Sequence, residues 1–359
     1  MDFEVNRQDF RDTRTVDSLP VKLAPGQIRL AVERFALTAN NVTYAVAGDM
    51  LDYWGFFPTE APWGRIPAMG LGSVVESAHP DISTGGRFFG FYPMCSEVVI
   101  EADPRGTAFT DVGAHRAKHA EVYTNFSDIA ADIMFRDDRI DEFLLLRGLF
   151  MTSFLADDYL GDRGFHDASQ TLITSASSKT SICLAACLAR RGHRSVGLTS
   201  PRNRAFVEGL GLYDEVLVYD EIDQLDPTVA TGLVDMAGSD TVRSGVHTRF
   251  GDGLRFSMTI GATHWEDTAP GGTELPGPQP TFFFAPDQIA KRSEEWGAAE
   301  LMRRIAAVWH ELLDGTDRWL TVVHRFGPQE ITAVYHDLLE GRSDPSGGFV
   351  ASMSGEALR

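Results

Sequence analysis

Ser175, Ser177, Ser178, Lys179 and Thr180 follow one another at the junction between a short apolar run, TLIT, and a helical one, SICLAACLARR. A helix beginning there presents unpaired N–H groups and a partial positive charge. The hydroxyls add donors and Lys179 adds a full charge, so the stretch is suited to holding phosphate. What it lacks is glycine. The G-x-G-x-x-G pattern uses glycines for a tight turn and a close backbone approach to a pyrophosphate. Serines stand in this turn instead, Ser175, Ser178 and Ser181 among them. Any of them held at positive φ would carry roughly 1 kcal/mol of strain. Two readings stay open: a serine-lined cradle for a nucleotide, or a degenerate turn that has lost its ligand. Amides turned inward, or a side chain filling the adenine position, would favour the second.

A second group lies at the end of the next apolar run. Dinucleotide sites that take NAD place Asp or Glu there for the ribose hydroxyls. Here the residues are Thr199, Ser200, Pro201, Arg202, Asn203 and Arg204. Two hydroxyls followed by arginines suit a 2′-phosphate, which points to NADP(H). The plainer alternative makes Arg202 and Arg204 solvated residues on the first turn of a helix.

The elements that must position these groups alternate. The pattern predicts strand 171–174, helix 179–191, strand 194–199, helix 202–210 and strand 215–219. LVDMAG, LRFSMTIGAT and TFFFAP continue the series, with a Pro/Gly-rich loop over 268–280. Strands alternating with helices predict a doubly wound parallel sheet, an α/β domain of Rossmann type. Leu301, Ile305, Val308, Trp309 and Leu312 share one helical face. The first 110 or so residues read differently. QIRLAVERF alternates apolar and polar positions, and Gly and Pro punctuate further β-like runs, which predicts a compact β-barrel module. Residues 111–145 read as a polar, acidic insertion or connector, and 144–160 as a helix entering the second domain. The tail, RWLTVVHRF, PQEITAVYHDLLEG and GGFVASM, resembles the first module in style. The expected division is a first domain over 1–145 completed by 315–359, and a second over 146–314.

Composition bounds the partners. The chain has 359 residues, 43% hydrophobic and 23% charged, and a formal net charge of -19 from 51 acidic and 32 basic side chains. Such a field repels nucleic acid. Cys95, Cys183 and Cys187 have no metal-ligand spacing and read as small packing residues. The low cysteine count and the charged first residues, without an apolar signal core, suit the cytoplasm. No apolar stretch is long enough to cross a bilayer. His310, His324 and His336 lack ligand spacing, and Asp157, Asp158 and the acidic run 214–226 read as solvated turns.

PGQIRLAVERFALTANNVTYAVAGD, GLGSVVESAHPDISTGGRFFGFYP, GLFMTSFL, VDMAG, MTIGAT and FFFAP, in this order along nearly the whole chain, resemble the medium-chain dehydrogenase/reductase superfamily. The likeness is to its zinc-independent, quinone-oxidoreductase-like branch. LLRGLFMTSFL, SSKTS and ALTANNVTYA narrow it to a subfamily catalogued as a domain of unknown function. The resemblance implies a GroES-like catalytic domain followed by the Rossmann-type domain, and usually a homodimer formed by extending the sheet edge. It implies a nicotinamide contact at Thr152, read as a helix start, and a cofactor role for Gly261 in MTIGAT. Ala39 stands near the place of a zinc-binding cysteine, so no metal is expected. Charge on a developing enolate or alkoxide would then fall to Asn41, Tyr44 and Tyr53. Tyr53, Trp54, Phe56, Phe57 and Trp63 would either wall an apolar substrate cleft or pack the interface between the two domains. The expected activity is NADP(H)-dependent reduction of an activated C=C or C=O bond in a small apolar substrate. A lyase or isomerase on the same scaffold, or a non-catalytic binding protein, are the alternatives.

Overall fold

The computed structural model describes residues 1–18, 21–260 and 275–354. The chain divides into two compact units, Met1–Leu145 with Leu320–Arg359, and Leu146–Trp319. Among the described residues no helix is long and apolar enough to cross a membrane.

The first unit begins with an antiparallel pair, β1 (Asp2–Asn6) and β2 (Asp9–Val16). β3 (Gln27–Leu37) then buries Ile28, Leu30 and Val32 on one face, as its alternation requires. α1 (Ala39–Val46) follows, with the short β4 (Trp63–Gly64) pairing against β1. β5 (Pro67–Ser77), β6 (Arg87–Pro93), β7 (Glu97–Arg105) and β8 (Ala108–Asp111) come next, then α2 (Glu121–Thr124) and β9 (Asn125–Asp128). β3 pairs with β5 along one edge and with β7 along the other, and the order β5-β6-β9-β8-β7 closes a six-stranded barrel. Closure leaves no open edge in that ring. Phe35, Tyr92, Phe109 and Phe126 fill its interior. Residues 111–145 are therefore not merely a connector: β9 lies within them and supplies one wall. Its sequence, NFSD, turns only Phe126 fully inward, too little for an alternating pattern to register.

α3 (Ile140–Asp162) leads into the second unit, which holds β10 (Gln170–Ile173), α4 (Lys179–Arg191), β11 (Arg194–Thr199), α5 (Arg204–Gly209) and β12 (Glu215–Val218). β13 (Thr231–Asp235), α6 (Asp240–Phe250), β14 (Leu254–Thr259) and β15 (Thr281–Phe282) complete a parallel sheet of order β12-β11-β10-β13-β14-β15. The order reverses at β10, the switch point beside which ligands of open α/β sheets bind. α7 (Ala285–Trp296) and α8 (Ala298–Leu313) follow, Leu301, Ile305 and Trp309 of α8 being buried. Asp157 and Asp158 correct the expectation of solvated turns: both lie in α3, where Arg191 holds the first at 2.6 Å and Arg292 the second at 2.6 Å.

β16 (Thr321–Phe326), α9 (Pro328–Leu339) and β17 (Gly347–Ser352) return to the first unit. β17 pairs antiparallel with the far end of β3, and Tyr335 of α9 packs edge-on against Phe3 with ring centroids 5.5 Å apart. The result is a GroES-like barrel and a Rossmann-type parallel sheet.

Candidate functional site

The serine turn joins β10 to α4 at the switch point. Ser175 takes φ 50°, the left-handed conformation in which a glycine would be unstrained. Ala176 presses against β11, and a side chain at Gly197 of β11 would meet its Cβ at 3.0 Å. The close strand–turn approach that the usual fingerprint obtains from a glycine in the turn is thus obtained from a glycine on the facing strand.

The turn's donors divide into two sets. The Ser175 amide donates to the Tyr219 hydroxyl at 3.0 Å, the Ala176 amide to Leu198 O at 3.0 Å, and the Ser178 amide to Ser175 O at 2.8 Å. These three face the protein. Ser178 caps α4, its Oγ accepting from Ser181 N at 3.2 Å. Among the described residues, the amides of Ser177 and Thr180 have no hydrogen-bond partner, and they lie at the positive end of α4. The backbone donors left over on the turn are thus those of Ser177 and Thr180. Tyr219 adds a hydroxyl. Because its oxygen accepts from Ser175, its own O–H remains available to donate, and burial pushes its pKa up so that it keeps the proton. A cavity of about 270 Å3 opens beside it, lined by Ile222, Thr241 and Val242 with Asp220 and Asp223.

The loop after β11 is less electropositive than its sequence implies. Asn203 Nδ2 donates to Ser177 Oγ at 2.9 Å, tying this loop to the serine turn. Arg204 is held by Glu208 at 2.9 Å and by both Glu221 oxygens at 3.0 Å. Two carboxylates thus already partner the guanidinium expected at a 2′-phosphate. Thr199 is buried at the strand end, whereas Ser200 is half-buried and Arg202 exposed.

Thr152 also departs from expectation. α3 starts at Ile140, so Thr152 lies well inside the helix, its hydroxyl donating to Gly148 O at 3.2 Å. Gly261 lies outside the described residues.

In the first unit the structure brings Tyr44 and Tyr53 together, ring centroids 4.7 Å apart. Tyr53 also packs edge-on against Tyr123, with ring centroids 6.0 Å apart. Burial raises both the Tyr44 and Tyr53 pKa values, and neighbouring phenols raise them further. Asn41 does something else. Its Oδ1 accepts from Thr38 N at 2.7 Å and its Nδ2 donates to Pro67 O at 3.0 Å, a capping-box arrangement that starts α1, the helix carrying Tyr44. The asparagine holds the element rather than offering an outward donor. Trp54, Phe56 and Phe57 are buried within this unit, while Trp63 lies under Arg14 at 4.2 Å. Among the described residues no group of three or more His, Cys, Asp or Glu is arranged to hold a metal ion.

Sequence reasoning missed Tyr219 and Asp235. Tyr219 is the first residue after β12 and Asp235 the last of β13, and position along the parallel sheet is the signal that could have found them.

A family model described as "Protein of unknown function (DUF2855)" matches residues 35–344. No curated protein matches the chain. Among solved structures it is similar to CurA from Vibrio vulnificus in complex with NADPH, at 13% identity, 99% of each chain and a TM-score of 0.60. It is similar to YhdH of E. coli K-12 with bound NADPH, at 14% identity, 99% of this chain, 100% of that one and a TM-score of 0.56. The quinone oxidoreductase from Coxiella burnetii matches at 12% identity over 98% of both chains, with a TM-score of 0.53. At these identities the likeness is one of fold.

Proposed function

The chain belongs to the family of unknown function DUF2855, on the medium-chain dehydrogenase/reductase fold, and we propose that it is an NADP(H)-dependent reductase. Its substrate on this reading is small and apolar, with an activated C=C or C=O bond, and no zinc takes part. The observation that carries the reading is the pair of unbonded amides, Ser177 and Thr180, at the start of α4 beside the Tyr219 hydroxyl. They stand at the switch point of a sheet whose solved neighbours CurA and YhdH carry NADPH.

On this reading Ser177, Thr180 and Tyr219 donate to the diphosphate, and Ser175 and Ser178 shape the turn that presents them. Lys179 adds charge, the cavity beside Tyr219 takes the adenine, and Ser200 and Arg202 at the end of β11 take the 2′-phosphate, with Thr199 buried beneath them. When bound, the nicotinamide supplies a hydride. Tyr53 and Tyr44, protonated at neutral pH because they are buried, are the donors for the proton that must follow.

Calorimetric titration tests the proposal. NADPH binds at least tenfold more tightly than NADH, and at a hundredfold excess over Kd it stabilises the fold by about 2.7 kcal/mol. No heat and no thermal shift at millimolar NADPH would overturn it. One observation favours a scaffold without cofactor: the Ser175 and Ala176 amides do face inward. Substrate turnover without NADPH consumption would support that second reading.

A homodimer belongs to the same proposal. β15 is the terminal strand of the described sheet, and Phe282 and Phe284 beside it are 42% and 47% exposed. A second copy pairing along that edge would cover them, and Phe284→Asp would yield monomers in light scattering. A cytoplasmic location completes the reading.

A further inference from the structure

A buried polar chain runs behind the serine turn, and no step of the proposed reduction uses it. Asp235, at the end of β13, is 0% exposed. Its Oδ2 accepts from Arg243 Nη1 of α6 at 3.2 Å. Its Oδ1 accepts from the Thr174 hydroxyl at 2.7 Å and from the amides of Ala237 and Gly238 at 3.1 Å each. The Thr174 hydroxyl in turn accepts from the amides of Met236 at 2.8 Å and Ala237 at 3.0 Å. On the other side, Thr174 O accepts from Ser181 Oγ at 3.0 Å, and Ser181 Oγ accepts from Ser178 Oγ at 2.9 Å. The path links α6, the ends of β13 and β10, and the cap of α4.

Buried carboxylates of this kind are retained when all their partners are satisfied, and such a network rigidifies whatever it holds. What it holds here is Thr174, the residue immediately before the strained Ser175. Left-handed φ at a serine persists only when the surroundings over-determine it. The bonds on Thr174 fix one end of the turn, and the Ser181–Ser178 bond fixes the other.

We infer that Asp235 is the positioning residue of the turn: acting through Thr174, it sets the conformation in which the Ser177 and Thr180 amides face a diphosphate. The inference rests on the proposed NADP(H) reading. The residue touches no cofactor atom and moves no proton; it determines where donors point.

Thr174→Val removes the hydroxyl and keeps the shape, Thr174→Ser restores it, and Asp235→Asn changes the anchor. Each is titrated with NADPH and with adenosine 2′-monophosphate, which has no diphosphate. Thr174→Val and Asp235→Asn are expected to weaken NADPH about tenfold, the worth of one to two hydrogen bonds. Adenosine 2′-monophosphate changes by less than about twofold, and Thr174→Ser recovers most of the NADPH affinity. Thr174→Val folds independently of whether Asp235→Asn does, so the test stands on either. Undiminished NADPH binding by Thr174→Val overturns the inference and leaves the cofactor reading intact. Parallel loss of both ligands overturns it too, because it shows general loosening. Wild-type protein that binds no NADPH overturns both.

Discussion

The Tyr219 hydroxyl lies 3.0 Å from the amide of Ser175, 44 residues earlier in the chain. β10, β11 and β12 are parallel neighbours, so their ends converge and a residue just past β12 reaches the turn after β10. A phenol here does two things: it satisfies an inward-facing amide and it keeps its own O–H to donate. On the proposed reading, a turn without glycine then meets a phosphate through a side chain where backbone would otherwise have to approach.

Tyr219→Phe removes both functions. The Ser175 amide is left without its partner, which costs about 1–3 kcal/mol of stability when no water replaces it. NADPH affinity falls about tenfold at the same time. Urea unfolding and calorimetry measure the two effects, and loss of neither would show that the bond is incidental.

Ser175→Gly relieves the left-handed strain at φ 50°. Glycine adopts this conformation without a Cβ penalty, but its unfolded chain gains entropy, so of the roughly 1 kcal/mol relieved only about 0–0.5 kcal/mol remains as net stabilisation. Cofactor affinity stays within about threefold, because the amides assigned to phosphate belong to Ser177 and Thr180. A destabilised variant would mean that the serine side chain holds the turn.

Arg204→Ala changes NADPH affinity by less than about threefold, since Glu208 and Glu221 already occupy its guanidinium. Exposed pairs of this kind contribute roughly 0–1 kcal/mol, so stability also moves little. A loss beyond tenfold, confined to NADPH and absent for NADH, would restore Arg204 to the 2′-phosphate site.

Stability falls on acidification through His247. Its Nδ1 donates to Pro276 O at 2.8 Å and its Nε2 accepts from Ser257 Oγ at 2.9 Å. Burial holds its pKa below the ordinary imidazole value, the Pro276 contact opposing this only in part. The unfolded chain therefore binds a proton that the folded one resists. The contribution is complete above about pH 6.5, the unfolded value, and is lost as the pH falls below it. Urea titrations between pH 5 and 8 should show this slope, and His247→Gln should flatten it; an unchanged slope would remove His247 as the cause.

Elements with strong periodicity are legible in the sequence alone. SICLAACLARR gives one apolar helical face, and its glycine stop at Gly192 takes φ 75°. QIRLAVERF announces β3 by alternation, and the return of the tail to the first unit follows from its β-α-β style. β9 was hidden because four residues carry one inward aromatic. Site residues were harder for a different reason. Asn41 looks like a donor in sequence, yet the same side chain caps a helix, and only partners distinguish these uses. Arg204 and Glu208 are spaced for an i,i+4 pair, a pattern readable in advance, but the Glu221 contact crosses from another loop. Tyr219 sits in an acidic run that reads as a solvated turn, and its reach to Ser175 exists only once the strands are ordered.

A crystal grown with NADPH tests the central claim most directly. The account predicts diphosphate oxygens within hydrogen-bonding distance of Ser177 N, Thr180 N and the Tyr219 hydroxyl, with Ser175 still left-handed and its amide still on Tyr219. Well-ordered crystals at saturating NADPH with no cofactor at this turn, or with the dinucleotide bound elsewhere on the chain, would contradict it.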